Sequence, residues 1–257
     1  MKNLMFVGVA VAAVLAASAA SAADVRMPIK TPPRPAPVTQ SWQGCYVGGH
    51  GGLGSSHTTW RDSPANNGQI DNTFLGQAAN TDMSGAIYGA QVGCDFPVDG
   101  GLVFGLQGSW SQSTITGTNM DQFNSTWTLR AKVDSIVTAT GRVGLTLDRS
   151  LIYARGGLAW ARGKFEIENT SVFLGSPSVT NAGWVVGGGV EWSFAPNWTV
   201  FIEADHFDLG TKGLFFPGAP ANPLVLNPAF LVNAGQKVET LKFGANYRFG
   251  SLPGLHF

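Results

Sequence analysis

The strongest constraint on the fold is a stretch near the end of the sequence in which apolar and polar residues alternate at every position. In residues 241–249 the odd positions hold leucine, phenylalanine, alanine, tyrosine and phenylalanine, and the even positions hold lysine, glycine, asparagine and arginine. Because successive side chains of a strand point to opposite faces, this spacing predicts a β-strand with one apolar face. A soluble sheet buries that face, whereas a membrane barrel turns it toward lipid and encloses the polar face.

Seven earlier segments repeat the alternation. The eight segments are residues 44–54, 85–96, 101–111, 133–147, 151–162, 184–194, 198–207 and 241–249. Short links at 97–100, 148–150 and 195–197 alternate with long links at 55–84, 112–132, 163–183 and 209–237. The predicted fold class is therefore all-β: an eight-stranded antiparallel transmembrane up-and-down β-barrel with long extracellular loops and short periplasmic turns. An even strand number places both termini in the periplasm.

Composition and aromatic placement favour the membrane alternative. Charged residues make up 12% of the chain, about half of the ~25% usual in soluble domains. The formal net charge of +0 gives no basic stripe and argues against nucleic-acid binding. Aromatic residues cluster at both ends of the predicted strands, as Trp192, Phe194 and Trp198 beside short turns and Trp110 and Trp160 beside long loops. Two such girdles are typical of membrane interfaces; a soluble lipocalin-like barrel, the alternative, would place its apolar residues inside.

The N-terminal region predicts export. Lys2, an apolar run over residues 4–17 and small residues at 17–23 have the pattern of a secretory signal peptide cleaved near Ala22 or Ala23. Residues 24–41 contain five prolines, which favour an extended polyproline spacer. The expected organisation is a signal peptide (1–23), a Pro-rich periplasmic leader (24–41), the barrel (42–249) and a C-terminal extension (250–257).

The polar face predicted to point inward carries seven charged residues. They are Arg142, Arg155, Glu191, Glu203, Asp205, Lys242 and Arg248. Eight strands leave an interior just wide enough for side chains, so these groups have to neutralise one another. Aligning Leu147 with Ser150 across the tight turn places Arg142 opposite Arg155, and carboxylates from other strands are needed beside them. We predict a salt-bridge plug; the alternative is a narrow ion path lined by the same groups.

The two cysteines can be placed by register. Aligning Leu53 with Ala86 in an antiparallel pair puts Cys45 directly opposite Cys94, at a Cα separation that overlaps the range of disulfides. Export makes oxidation feasible. We predict a disulfide that joins the first two strands near the periplasmic rim; two free, lipid-facing thiols are the alternative.

Five sequence motifs resemble one known family. They are residues 42–49 (WQGCYVGG), 141–144 (GRVG), 151–159 (LIYARGGLA), 183–191 (GWVVGGGVE) and 243–249 (FGANYRF). These motifs are similar to those of small outer-membrane surface-antigen barrels, the family of the opacity proteins and the outer-membrane immunogenic proteins of alpha-proteobacteria. The resemblance covers residues 1–249 but leaves the long loops unmatched. It departs at Cys45 and Cys94, where such barrels usually carry aromatic residues, and at residues 250–257, beyond the usual end of the family.

The resemblance implies a location in the bacterial outer membrane and assembly by the barrel assembly machinery, which reads a terminal aromatic residue on the last strand. Tyr247, Phe249 and Phe257 are the candidates for that signal, because Phe249 is followed by eight further residues. Expected partners are outer-membrane lipid, lipopolysaccharide and host or neighbouring envelope proteins, met through the loops.

The function expected from the sequence is structural: a surface protein, adhesin or antigen that supports envelope integrity. A narrow porin is the alternative, and a lipid-modifying enzyme is a weaker one. His57 with Ser55 and Ser56 is the best candidate for a nucleophile and its base, but it matches no recognisable motif. No enzyme activity, cofactor or metal is expected, since the cysteines and histidines lack zinc-ligand spacing.

Overall fold

The computed structural model describes residues 42–62, 79–120, 127–169, 172–175, 178–216 and 230–249. The chain divides into two units, Met1–Val38 and Thr39–Phe257, and every described residue belongs to the second. The predicted signal peptide, leader and C-terminal extension, including Phe257, lie outside the described residues. Within the described ranges no helix is long and apolar enough to cross a membrane.

Ten strands form one antiparallel sheet in the described part of the chain. They are β1 (Gly44–Asp62), β2 (Ala79–Val98), β3 (Leu102–Ser113), β4 (Thr116–Met120), β5 (Trp127–Leu147), β6 (Ser150–Asn169), β7 (Val172–Gly175), β8 (Ser178–Ala195), β9 (Trp198–Phe216) and β10 (Phe230–Arg248). Eight of them close a ring in the order β1-β2-β3-β5-β6-β8-β9-β10. Leu53 of β1 pairs with Leu241 of β10, so the strand that ends the barrel seals it against the first and leaves no free edge. The predicted fold class is confirmed.

The two remaining strands extend the wall on the side of the long loops. β4 continues the line of β3 beyond a break at Thr114 and Ile115, and pairs with the same neighbour, β5. The break still carries ladder bonds, since Thr114 N donates to Ala86 O and Val133 N donates to Ile115 O, each at 2.9 Å. β7 pairs with the end of β6. Both strands lie within links that the sequence predicted to be loops.

The short links are tight turns. Asp148 and Asn197 adopt positive φ angles of 53° and 68°, and Gly100 and Gly101 do so at 84° and 81°. Asn and Asp tolerate this left-handed region better than other side chains, and glycine enters it without a steric penalty. Asn197 also donates from Nδ2 to Arg248 O at 2.9 Å, which ties one turn to the end of β10.

The strands run further toward the long loops than the alternation predicted. β1 ends at Asp62 rather than near residue 54, and the ring strands other than β3 have 18–21 residues. A tilted transmembrane strand needs only ~9–11 residues. About half of each of these strands therefore projects beyond the hydrocarbon layer.

The half of the barrel next to the short turns, here called the membrane half, has apolar side chains outside. Its outward residues include Leu53, Leu106 and Leu158, which are 57–68% exposed. The predicted girdle residues Trp110, Trp160, Trp192, Phe194 and Trp198 lie on this outer surface. Trp184, Tyr247 and Phe249 lie there too, and all eight are 36–51% exposed. The membrane half ends at the rim marked by Trp110, Trp160 and Trp184.

The rest of the barrel, beyond that rim and here called the outer half, reverses the pattern. One continuous apolar core begins at the rim and fills the interior above it. This core comprises Trp60, Met83, Ile87, Ile115, Ala131, Val133, Ile136, Ala159, Ala161, Phe165, Val185, Phe207, Leu209, Leu214, Ala234 and Val238. Exposed polar residues such as Arg61, Asp82 and Lys237 face outward. The sequence interpretation of a polar face inside therefore describes the membrane half alone.

Val133 shows how the pattern changes along one strand. Unbroken alternation predicts that Val133 faces outward with Val137, yet Val133 is completely buried and Val137 is 41% exposed. A β-bulge lies between Val133 and Ser135 and adds one residue to β5. Because an extra residue reverses the parity of a strand, the bulge turns Val133 into the apolar core.

Candidate functional site: the charged interior of the membrane half

Four ionised side chains nearest the short turns form what we call the lower quartet: Asp95, Arg142, Glu191 and Arg248. Arg142 Nε donates to Asp95 Oδ1 at 2.7 Å, and Nη1 donates to Glu191 Oε2 at 3.1 Å. Arg248 Nη1 donates to Glu191 Oε1 at 3.2 Å, and its Nη2 contacts Asp95 Oδ2. None of the four is more than 4% exposed. Each cation meets both anions, so the lower quartet is neutral as a whole.

Aromatic rings and neutral hydrogen-bond donors surround the lower quartet. The guanidinium of Arg142 lies 4.7 Å from the ring centre of Tyr46, and that of Arg248 lies 5.0 Å from the ring centre of Trp42. Glu191 Oε1 also accepts bonds from Thr199 Oγ1 at 2.5 Å and Asn246 Nδ2 at 3.0 Å. A buried carboxylate needs several donors to offset its lost hydration, and these groups provide them.

A second set, the upper quartet, lies on the side of the apolar core and consists of Arg155, Glu203, Asp205 and Lys242. Lys242 Nζ lies 2.6 Å from Glu203 Oε1 and 2.7 Å from Asp205 Oδ2. Arg155 lies 3.1 Å from Glu203 and 2.9 Å from Asp205. These two arginine contacts lack hydrogen-bond alignment, but Arg155 Nη2 donates to Asp205 Oδ2 at 3.3 Å. The upper quartet is also neutral.

Arg142 and Arg155 are paired in register across β5 and β6, as the tight turn predicts. They nevertheless belong to different quartets, and Tyr153 lies between these. The guanidinium of Arg142 is 5.0 Å from the ring centre of Tyr153, whose hydroxyl donates to Glu203 Oε2 at 2.8 Å. Two neutral groups therefore replace the single seven-membered network expected from the sequence.

Asp95 is the member that the sequence interpretation missed. The seven predicted groups carry four positive and three negative charges, which leaves one charge uncompensated in a closed interior. Asp95, on the inward face of β2, supplies the missing anion and is completely buried. A count of inward charges was the signal that could have found it.

A chain of neutral side chains crosses the interior beside the lower quartet. Tyr46 Oη donates to Gln107 Oε1 at 3.0 Å, and Gln107 Nε2 donates to Gln91 Oε1 at 3.3 Å. Gln91 Nε2 then donates to Asn246 Oδ1 at 2.8 Å. Because Asn246 bonds Glu191, this chain connects strands β1, β3, β2, β10 and β8 through side chains alone.

Cys45 and Cys94 are paired in register and joined by a disulfide on the outer surface, close to the short turns. The same end of the barrel holds the described candidates for the assembly signal. The ring of Tyr247 lies 5.2 Å from those of both Trp198 and Phe249, and Phe249 N donates to Cys45 O at 2.8 Å. Phe249 is thus bound to the wall of the barrel immediately after β10.

Of the two candidate nucleophiles, Ser55 shares the exposed outer face with His57, and Ser56 is turned to the interior. His57 faces outward with its Nδ1 2.7 Å from Asp82 Oδ1, whereas Ser56 is 4% exposed, faces the interior and donates to Lys237 O. Adjacent residues of a strand point to opposite sides of the sheet, which separates this pair. Within the described ranges no group of three or more His, Cys, Asp or Glu residues is arranged to hold a metal ion.

A closed antiparallel ring with an apolar outer belt, two aromatic girdles and internally neutralised charges defines a transmembrane β-barrel of the bacterial outer-membrane class. The family model described as outer membrane protein beta-barrel domain matches residues 9–249. The chain belongs to this family and is a bacterial outer-membrane protein.

Two relatives and one solved structure illustrate the similarity. The 31 kDa outer-membrane immunogenic proteins of Brucella melitensis and Brucella suis are each 28% identical over 255 residues, covering 97% of this chain and 100% of theirs. The crystal structure of the outer membrane protease OmpT from Escherichia coli aligns with a TM-score of 0.51 at 10% identity, covering 80% of this chain and 97% of that one. The latter likeness supports the fold alone.

Proposed function

We propose that the protein is a structural outer-membrane surface protein that supports envelope integrity through a closed, rigid barrel. The observation that carries this proposal is the filled interior: two neutral charge quartets occupy the membrane half, and one apolar core occupies the outer half. Ions crossing the barrel would have to break the quartets and then enter an apolar region, and both steps are costly.

The proposal includes an orientation and a set of partners. Short turns and both termini lie in the periplasm, where the assembly machinery reads the end of β10, and the outer half projects from the cell. The loops and polar wall of the outer half then present contacts to lipopolysaccharide, neighbouring envelope proteins or host surfaces. Polar residues on that wall, such as Arg61, Asp82 and Lys237, suit contact with water and charged partners.

A deletion strain tests the envelope role. Loss of the protein is expected to raise sensitivity to bile salts and anionic detergents, and plasmid-borne wild-type protein is expected to restore resistance. A variant shortened in the loop between β9 and β10 serves as the matched control, because it keeps the barrel and changes surface contacts. Restored resistance with lost adhesion would separate the barrel's role from that of the loops; unchanged sensitivity in the deletion strain would refute the envelope role.

Planar-bilayer recording separates the closed barrel from a narrow porin. The purified protein is expected to show no steady conductance. A variant in which both Arg155 and Lys242 are replaced by alanine tests whether the quartets form the barrier in the membrane half. Its conductance is compared with that of the wild type, and the apolar core remains in place as a second barrier. Stable, ion-selective openings of the wild-type protein would overturn the proposal in favour of the porin.

Truncation tests the assembly signal. A chain ending at Phe249 is expected to reach the outer membrane at the full-length yield, because Phe249 is already bonded to β1 through Cys45 O. A Phe257→Ala variant of the full chain is the matched control. A yield that collapses in both variants would assign the signal to Phe257 instead.

A further inference from the structure

The outward-facing surface of β3, β5 and β6 contains an apolar groove within the membrane half. The groove has a volume of about 500 Å³ and is lined by Phe104, Leu106, Val143 and Ala154, with Gly141 and Gly156 at its floor. The two glycines face each other in register. A Cβ added at Gly156 would meet nothing closer than Val185 O at 3.6 Å. A larger residue would therefore fit at this position, and close backbone packing does not explain the glycine.

A cluster of four basic residues lies on the same wall, just beyond the rim. Arg130 and Lys132 on β5, with Arg162 and Lys164 on β6, all face outward and are exposed. Lys132 lies directly opposite Lys164, and like charges in that position repel each other. Asp134, 2.9 Å from Lys132, offsets part of this repulsion, and Glu166 lies opposite Arg130. Arg162 and Lys164 take part in none of the ion pairs found among the described residues.

Hydroxyl groups flank this basic cluster on both sides. Thr116 of β4 pairs with Lys132, and Ser178 and Thr180 of β8 pair with Lys164 and Arg162. Lysine and arginine with neighbouring hydroxyl donors are the groups that bind phosphate oxygens. The cluster therefore has the chemistry of a phosphate site, and its exposure leaves it accessible to a ligand from the membrane surface.

The groove and the basic cluster are separated by the depth of one lipid leaflet. Arg162 follows Trp160 by two residues, which places it about 7 Å along the strand beyond the ring that marks the membrane interface. Six residues separate Gly156 from Arg162, or roughly 20 Å along a strand tilted ~40°, which corresponds to ~15 Å of depth. Half of a ~30 Å hydrocarbon layer has the same thickness.

We propose that the β5–β6 wall binds a phosphorylated glycolipid of the outer leaflet, with an acyl chain in the groove and a phosphate on Lys132, Arg162 and Lys164. The inference rests on the proposed envelope role and assigns one of its partners to a site. The phosphate neutralises Arg162 and Lys164, and the acyl chain fills the belt where it lacks side chains. Binding is expected to weaken with salt, because the cationic part is exposed.

The test uses the full-length protein refolded in detergent micelles and titrated with bisphosphorylated lipid A, with native mass spectrometry as the readout. An Arg162→Gln/Lys164→Gln variant is expected to bind roughly tenfold or more weakly, since charge-assisted bonds are lost. Dephosphorylated lipid A is expected to bind equally weakly to the wild type and to this variant. Gly156→Leu, which fills the groove, is expected to weaken binding of both lipids.

Matched controls lie on the opposite wall. Lys237→Gln removes an exposed cation beyond the rim, and Gly51→Leu adds a side chain in the belt where a Cβ meets nothing closer than 3.9 Å. Neither is expected to change binding, and gel mobility verifies that each variant is folded. Equal losses in the controls, or binding indifferent to the phosphates, would overturn the site. Specific binding in a protein whose deletion leaves the envelope intact would refute the envelope role and leave the site standing.

Discussion

The two halves of one barrel solve opposite solvation problems with the same strands. In the membrane half, Leu106 and Leu158 face outward and the quartets are enclosed; in the outer half, Trp60 and Phe165 are enclosed and Lys237 faces outward. Lipid surrounds the first half and water the second, so the outward face of each strand changes from apolar to polar at the rim. The comparison shows that the solvent outside, rather than the strand pattern, decides what fills the interior.

The two halves also differ in how strictly their interiors depend on particular pairs of residues. The apolar core of the outer half tolerates many packings, because dispersion and burial are not directional. The lower quartet instead requires each charge to meet its partners, as Glu191 does with Arg142 and Arg248. Single substitutions are therefore expected to be most damaging in the quartets.

The largest effect is expected from Glu191→Ala. This change leaves Arg142 and Arg248 with one carboxylate between them in a region sealed from water. Breaking a buried ion pair from one side costs about 3–5 kcal/mol, and we expect a loss near 4 kcal/mol in the free energy of unfolding. Guanidinium titration in lipid vesicles measures it. Glu239→Ala, on the exposed wall of the outer half, is the control and is expected to cost less than about 0.5 kcal/mol; equal costs would mean that the quartets do not stabilise the barrel.

Phe165→Ala is the corresponding change in the outer half. Phe165 is 1% exposed and packs edge-to-face on Trp60 at 5.4 Å, so its removal leaves a cavity in the apolar core. The expected cost is about 3 kcal/mol. Hydrogen exchange should increase in residues 161–169 of β6 and stay slow in residues 151–157. Faster exchange along the whole strand would show that the two halves unfold as one unit.

A charge placed on the outer face tests where lipid ends. Leu106→Lys puts an ammonium in the middle of the belt and is expected to cost about 2–3 kcal/mol, as lysine does near the bilayer midplane. Ser55→Lys places the same group just beyond the rim, where water and Glu239 are near, and is expected to be almost neutral. Similar costs for the two variants, measured in the same vesicles, would shift the rim and with it the boundary between the halves.

The sequence predicted the membrane half well because two rules apply there together. Period-two alternation identified the eight strands, and alignment across the tight turn at Asp148 gave the register that pairs Arg142 with Arg155. The alignment of Leu53 with Ala86 likewise gave the pairing of Cys45 with Cys94. The outer half was less predictable, since its outward faces are polar and its strands therefore look like loops. The bulge at Asp134 and the break at Ile115 also reverse or interrupt the parity on which the interpretation depends.

The sequence predicted which charged residues face the interior, but it did not predict how they group into ion pairs. Alternation identified seven inward charges, yet their division into two quartets depends on Tyr153 and on strand stagger, which adjacent pairing alone does not give. Alternation over residues 85–96 also puts Asp95 on the polar face, but the predicted set of inward charges did not include it. Charge balance inside a closed barrel is a physical requirement, and it would have pointed to one more anion.

The smallest of these effects is expected from the disulfide, which ties β1 to β2 only in the membrane half. Replacing Cys45 and Cys94 together by serine is expected to cost about 2 kcal/mol, at the low end of the usual range because the ladder already holds the two strands in register. Thiol labelling after denaturation measures the bond itself, since the wild type should take up label only after reduction. Exchange in residues 45–53 should increase while that in residues 55–60 of the same strand stays unchanged. Two labels on the unreduced wild type would show free thiols, and the ladder of β1 would then be held in the membrane half by backbone pairing alone.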